Sequence, residues 1–146
     1  MQKVNIELCK IEDIINLVEM EKKYFSEPWS EKSFISEIQN KTSMILVAFF
    51  NEVIVGYIAL SYVIDEVNIN KIVVEENMRN MGIATLLLNE IELKLYNKIK
   101  YIHLEVRESN ELAKRLYLKN GYEIVGLRKN FYNSPTENAV LMTKIL

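Results

Sequence analysis

The hydrophobic period changes twice within residues 70–107. Ile72, Val73 and Val74 form a short apolar run, and the spacing predicts a strand over 70–75. Ile83, Leu87, Leu88, Ile91 and Leu95 then recur at helical spacing and predict a helix over 80–96. Ile102, Leu104 and Val106 return to alternation in a strand over 100–107, which puts Tyr101, His103, Glu105 and Arg107 on its other face. A strand–helix–strand unit closes as a right-handed crossover between parallel strands. Few sheet topologies accommodate it.

The flanking segments fit around that unit. Val4, Ile6 and Leu8 alternate as a strand, and a helix follows from near Glu12 with Ile14, Leu17, Val18 and residues 20–25 on its apolar side. Pro28 disfavours helix at Glu27, and Ser30 restarts one as an N-cap, running to about Gln39. Strands over 43–50 and 53–63 flank Asn51-Glu52, a two-residue hairpin spacer, and 66–75 continues the meander. Ser109 is the expected N-cap of a helix through Lys119, which Asn120-Gly121 ends. Strands over 122–132 and 138–146 close the chain around Asn133-Ser134-Pro135-Thr136. The expected fold is α/β: a mixed central sheet with antiparallel early strands, two parallel strands and helices on both faces.

The chain of 146 residues suits a single domain, 1–146, with its own core. Its net charge of −2 gives no basic excess, so no direct nucleic-acid partner is expected. Cys9 is the single cysteine and has no internal disulfide partner. With one cysteine and one histidine, a protein-built zinc site is not expected, and no metal is assigned. The first residues lack a signal-peptide apolar core, and the apolar run 44–50 is far short of a membrane span. A soluble cytoplasmic protein without a membrane partner is expected. The sequence carries no sign of oligomeric state.

Gly82 stands where the central helix begins. The first N–H groups of a helix lack intrahelical partners and carry the positive end of its dipole. The amides of Met81, Gly82, Ile83 and Ala84 can therefore cradle a diphosphate, with Arg79 and the Thr85 hydroxyl beside them. The same residues also describe ordinary helix initiation behind an exposed arginine. Neither a Gly-x-Gly-x-x-Gly fingerprint nor a Gly-Lys-Ser/Thr P-loop is present.

Arg79-Asn80-Met81-Gly82-Ile83-Ala84 resembles the acyl-CoA diphosphate loop of the GNAT N-acetyltransferases. Further motifs resemble, within that family, the ribosomal-protein-alanine N-acetyltransferases. They are Phe25-x-x-Pro28-Trp29-Ser30 with Phe34, Leu104-Glu105-Val106-Arg107-x-Ser109-Asn110, Leu116-Tyr117 with Gly121-Tyr122, Arg128-Lys129-Asn130-Phe131-Tyr132, and Asn138-Ala139 with Met142. The resemblance covers essentially the whole chain. It implies the GNAT fold, with two parallel strands splayed apart, and acetyl-CoA as cosubstrate. Ile72, Val73, Val74, Arg79, Asn80, Met81, Gly82, Ile83, Ala84, Thr85, Asn110 and Tyr117 would hold that cosubstrate, and a backbone N–H near Val73–Val74 would polarise the thioester.

The resemblance also implies direct attack by the amine, without a cysteine nucleophile. Glu105 becomes the candidate base, where spacing alone allows a surface glutamate. Tyr117 becomes the candidate acid, where helical position alone reads as core packing. Asn110 has helix capping as its plain alternative. Trp29, Glu105 and Tyr132 are the candidate acceptor-binding residues, although Trp29 also suits packing at a core edge. His103 shares the face of Glu105 and reads as solvated surface. Two departures stand out: Phe131-Tyr132 replaces the usual Tyr-Tyr, and Asn138-Ala139 the usual Asp-Ala. The expected acceptor is a protein N-terminus, most simply that of a ribosomal protein. The alternatives are another terminus, a small amine, or a CoA-binding module without turnover.

Overall fold

A computed structural model describes residues 3–146. Its strands are β1 (Val4–Leu8), β2 (Ser43–Phe50), β3 (Val53–Val63), β4 (Glu66–Val74), β5 (Tyr101–Arg107), β6 (Glu123–Tyr132) and β7 (Glu137–Ile145). They form one seven-stranded open sheet in the order β1-β2-β3-β4-β5-β7-β6. β4 and β5 are parallel, and the other neighbouring pairs are antiparallel. The helices are α1 (Ile14–Tyr24), α2 (Glu31–Gln39), α3 (Ile83–Lys94) and α4 (Glu111–Lys119).

Each sheet face has its own core. Ile14, Leu17 and Met20 of α1 and Phe34 of α2 bury against Ile45, Val47, Tyr57, Ala59 and Val73. On the opposite face, Ile83, Leu87, Leu88 and Ile91 of α3 and Tyr117 of α4 meet Leu46, Ile58, Leu60, Val67, Ile69, Leu104 and Val106. The expected mixed sheet with helices on both faces is therefore present. Local chemistry explains several boundaries. Ser30 caps α2 by accepting from the Ser33 N–H at 3.1 Å, a contact worth about 1 kcal/mol. Asn51 and Glu52 both take positive φ, 50° and 67°, the geometry a two-residue hairpin demands.

Two expected boundaries shift. α3 starts at Ile83 and not at Asn80, because Asn80 (φ 65°) and Gly82 (φ 78°) are left-handed and cannot belong to the helix. The cap of α4 is Asn110 and not Ser109: the Asn110 side chain accepts from the Ala113 N–H at 3.1 Å. The Ser109 N–H is instead bound to Glu137 Oε2 at 2.6 Å.

The β4–β5 pairing is brief. It joins Glu66, Val67, Asn68 and Ile69 to Tyr101, Ile102, His103 and Leu104, and then stops. On its other edge β4 shifts register against β3 at the same level: Leu60 faces Ile69, whereas Ala59 faces Lys71. Asn70 is thus an extra residue on β4. A bulge of this kind bends its strand and breaks the ladder. Beyond it, residues 70–74 and 105–107 diverge and leave a gap between two parallel strands.

Candidate active site

Backbone direction determines what β4 offers the gap. The Glu75 N–H donates to Val55 O at 2.8 Å, so at this end of β4 the odd-numbered residues turn their backbone groups toward β3. Ile72 and Val74 therefore direct theirs into the gap. The Val74 carbonyl accordingly accepts from Arg79 Nε at 3.0 Å, reached from the gap side. Of the residues named near the expected donor, Ile72 and Val74 face the gap with their backbone groups and Val73 does not. Val73 faces the α1/α2 core, while Ile72 and Val74 pack against the α3/α4 core.

The turn into α3 lies just beyond this end of β4. Its first helical hydrogen bond runs from the Leu86 N–H to Gly82 O at 3.0 Å. The N–H groups of Ile83, Ala84 and Thr85 consequently have no intrahelical partner. A Cβ built at Gly82 would meet nothing within 4 Å, so the approach to these amides is open. Asn80 and Met81 are exposed on the turn. Thr85 Oγ1 accepts from Asn120 Nδ2 at 3.2 Å and keeps its own proton to donate. Arg79 is exposed, with its guanidinium 4.9 Å from the centre of the Tyr24 ring. These residues suit a diphosphate: open amides at a helix start, a nearby cation and a hydroxyl.

Arg79 also meets a connection to α1. The Tyr24 hydroxyl donates to Glu75 Oε1 at 2.6 Å and accepts from the Glu76 N–H at 2.8 Å. Lys23 Nζ lies 3.0 Å from the same carboxylate. Burial opposes the charge of Glu75, but hydrogen bonds from Tyr24 and Lys23 outweigh it and hold the carboxyl below its ordinary range.

Glu105 and Tyr117 flank β5 from opposite sides. Leu104 and Val106 point into the α3/α4 core, so Glu105 points to the other face. Its side chain is 36% exposed, and Arg128 Nη1 lies 3.6 Å from Oε1. Tyr117 is buried within the α3/α4 core at 5% exposure, and its ring meets Tyr122 edge-on at 5.8 Å. No hydrogen-bond partner holds its hydroxyl among the described residues. Burial, and secondarily Tyr132, pushes that hydroxyl above the ordinary tyrosine range. Tyr132 itself is pushed up to about 12, first by burial and then by Glu105. The Arg107 guanidinium stacks 4.5 Å from the Tyr132 ring and donates to Pro135 O and Asn133 O. Tyr132 thus lies within electrostatic reach of both Tyr117 and Glu105, which stand on opposite faces of β5.

Trp29 stands apart from that cluster. It is half-buried, with its ring 5.3 Å from Phe34 in an edge contact. Asn110 is engaged as a helix cap. His103 lies two residues before Glu105 on the same face, bonded to Thr143 Oγ1 at 2.8 Å and Glu66 Oε1 at 2.7 Å, a half-buried contact and not free surface. Sequence reasoning missed Glu21 and Lys71, whose side chains meet behind Trp29 at 2.9 Å. The available signal was a glutamate on the apolar stripe of α1, between Leu17 and Tyr24.

Two concavities of about 430 and 350 Å³ lie elsewhere, along the β2–β3 hairpin. They share Val53, Ile54 and Glu75 and include neither Glu105, Tyr117 nor Gly82. The β4–β5 gap opens where the pairing of the two strands stops. Among the described residues no group of His, Cys, Asp and Glu is arranged to hold a metal ion, and no helix is long and apolar enough to cross a membrane.

Comparison with known proteins agrees with this geometry. The profile of the Acetyltransferase (GNAT) family matches residues 14–122. The ribosomal protein bS18-alanine N-acetyltransferase of Haemophilus influenzae is 34% identical over 141 residues, covering 94% of this chain and 93% of that protein. The crystal structure of the ribosomal-protein-S18-alanine N-acetyltransferase from Escherichia coli matches with a TM-score of 0.89 at 25% identity, covering 98% of this chain and 94% of that one. Arabidopsis thaliana Naa50, solved with the bisubstrate analogue CoA-Ac-MVNAL, shares the fold, with a TM-score of 0.84 at 24% identity and coverage of 98% and 99%. The splayed parallel strands, the open turn at Gly82 and these matches together show that the chain belongs to the GNAT family of acetyltransferases.

Proposed function

We propose that this protein transfers the acetyl group of acetyl-CoA to the α-amine of a protein N-terminus, with the N-terminal alanine of a small-subunit ribosomal protein as the leading acceptor. The carrying observation is the β4–β5 gap, with Glu105 on one face of β5 and Tyr117 on the other. The names of the Haemophilus influenzae and Escherichia coli relatives support the acceptor. The analogue bound to Naa50 joins CoA to a peptide and supports a shared groove.

Acetyl-CoA, when bound, supplies an acyl group activated as a thioester. The amides of Ile83, Ala84 and Thr85, with Arg79, hold its diphosphate. Asn80, Met81 and Gly82 shape the turn, and Asn110, whose side chain caps α4, would stand beside the bound arm. The Ile72 and Val74 N–H groups donate into the gap, where Val74 can stabilise a developing oxyanion; one such donor contributes about 3 kcal/mol. Glu105 takes the proton from the attacking amine, directly or through water. An α-amine has an ordinary pKa of about 8, so a useful fraction is already neutral and a carboxylate suffices as base. Tyr117 keeps its proton at neutral pH and delivers it to the departing sulfur. Trp29 and Tyr132 border the acceptor's path on the Glu105 side.

Thiol release with acetyl-CoA and a panel of acceptors tests this reading. Alanine-first peptides should react fastest, and blocking their amine should abolish release. A preference for small free amines would favour the alternative of a small-molecule acetyltransferase. CoA binding without turnover on any amine would leave only a binding module.

A further inference from the structure

Glu21 takes no part in the chemistry just described, yet its side chain is fully buried. A buried carboxylate is tolerated when it is paired and hydrogen-bonded. Glu21 gathers donors from three separate segments. Oε1 accepts from Lys71 Nζ of β4 at 2.9 Å and from the Trp29 N–H at 2.8 Å. Oε2 accepts from the Tyr57 hydroxyl of β3. The Lys71 ammonium in turn lies 3.9 Å from the centre of the Phe25 ring and 5.3 Å from that of Trp29. Phe25 and Trp29 belong to the segment joining α1 to α2, and a cation against two ring faces restrains both.

The location gives this cluster its meaning. Lys71 follows the Asn70 bulge and so lies in the stretch of β4 that has left β5. It points to the α1/α2 side, as Val73 does, and that is also the side of Glu105. A well-packed apolar pair would hold a helix to a strand equally well. A charged centre that orients two aromatic rings and one backbone N–H does something more specific: it fixes one loop.

We propose that Lys71 is a positioning residue for the acceptor, holding Phe25 and Trp29 through Glu21 as a rigid wall that the first residue of the peptide must pass. This rests on the reading that the acceptor approaches from the α1/α2 side. Lys71 touches neither the thioester nor the amine. Its effect belongs to acceptor KM and not to cofactor affinity.

The test uses the full chain, acetyl-CoA and an alanine-first peptide, with Lys71→Met alone and combined with Glu21→Gln. Trp29 is the single tryptophan, so its emission reports the wall directly, whatever the acceptor. Lys71→Met should shift that emission and raise peptide KM about tenfold, with acetyl-CoA KM changed less than about twofold. It should also lower the melting temperature, because it strands a buried carboxylate. The double variant removes that charge. It should recover the melting temperature while peptide KM stays raised, and it carries the test if the single variant does not fold. Unchanged emission, unchanged peptide KM, an equal rise in acetyl-CoA KM, or recovery of KM together with melting would each overturn the proposal. A parent protein inert toward every peptide would instead defeat the reading of function, with the emission shift still deciding whether Lys71 holds the loop.

Discussion

The Glu105 side chain is 36% exposed and Tyr117 only 5%, and this difference decides what a substitution at each reports. Glu105→Gln removes a half-exposed carboxylate whose 3.6 Å contact with Arg128 contributes little to stability. It should lower kcat about 100-fold while leaving unfolding free energy within about 1 kcal/mol. Tyr117→Phe keeps the ring against Tyr122 and loses only the hydroxyl. Its rate should fall by about tenfold or more with little change in chemical denaturation. A variant that melts early yet keeps its rate would return Tyr117 to packing alone. The tyrosines also make an alkaline prediction. Tyr132 ionises near pH 10 when unfolded and near 12 when folded, and Tyr57, Tyr117 and Tyr122 are raised in the same direction. Above pH 10 the unfolded chain releases protons that the folded chain keeps, so stability is intact below 10 and falls as pH rises toward 12. Urea unfolding across that window should show the decline, and Tyr132→Phe should shallow it. Much of this lies beyond a single sequence. The alternation around Glu105 gives its face directly, whereas Tyr117 reads as core from its helical position and is core. Glu21 and Lys71 lie far apart in the chain, and only the packing of α1 on β4 joins them.

At the scale of elements, the gap depends on how β4 is held along its β3 edge. Gly56 of β3 lies against the Val73 carbonyl, and a Cβ there would sit 2.7 Å from that oxygen. This is backbone and not a flexible side chain, so β4 itself would have to move. Gly56→Ala should therefore destabilise the fold by about 1–3 kcal/mol and weaken acetyl-CoA binding together, although Gly56 is not among the residues proposed to hold the cosubstrate. Thermal melting and calorimetry on one preparation measure both, and loss of stability with full affinity would show that β4 tolerates the shift. The crossover around this gap is legible because its period changes twice. The true start of α3 is not, because Asn80 is an ordinary helical residue until its φ of 65° is seen. The splay is legible only through the family resemblance and not from the spacing, because it follows from one extra residue at Asn70 and strand register is a property of pairing.

Across the whole molecule, two cores back two approaches to one opening. α3 and α4 bring the Gly82 turn and Tyr117 to one side of the sheet, while α1 and α2 bring the Phe25 and Trp29 segment to the side of Glu105. The Tyr24–Glu75–Lys23 cluster ties the end of α1 to the segment before the turn, so the halves meet at 2.6–3.0 Å. The space of about 430 Å³ lined by Asp13, Glu19, Lys23, Glu52 and Glu75 has four carboxylates to one ammonium and is unsuited to a diphosphate. Titration of the protein with coenzyme A, followed through its backbone amide resonances, separates these places in one experiment. The largest shifts should fall on Ile83, Ala84 and Thr85 and on Ile72 and Val74, with the hairpin at Asn51 and Glu52 unmoved. Shifts concentrated around Glu19, Glu52 and Val53, with the Gly82 turn silent, would contradict the account.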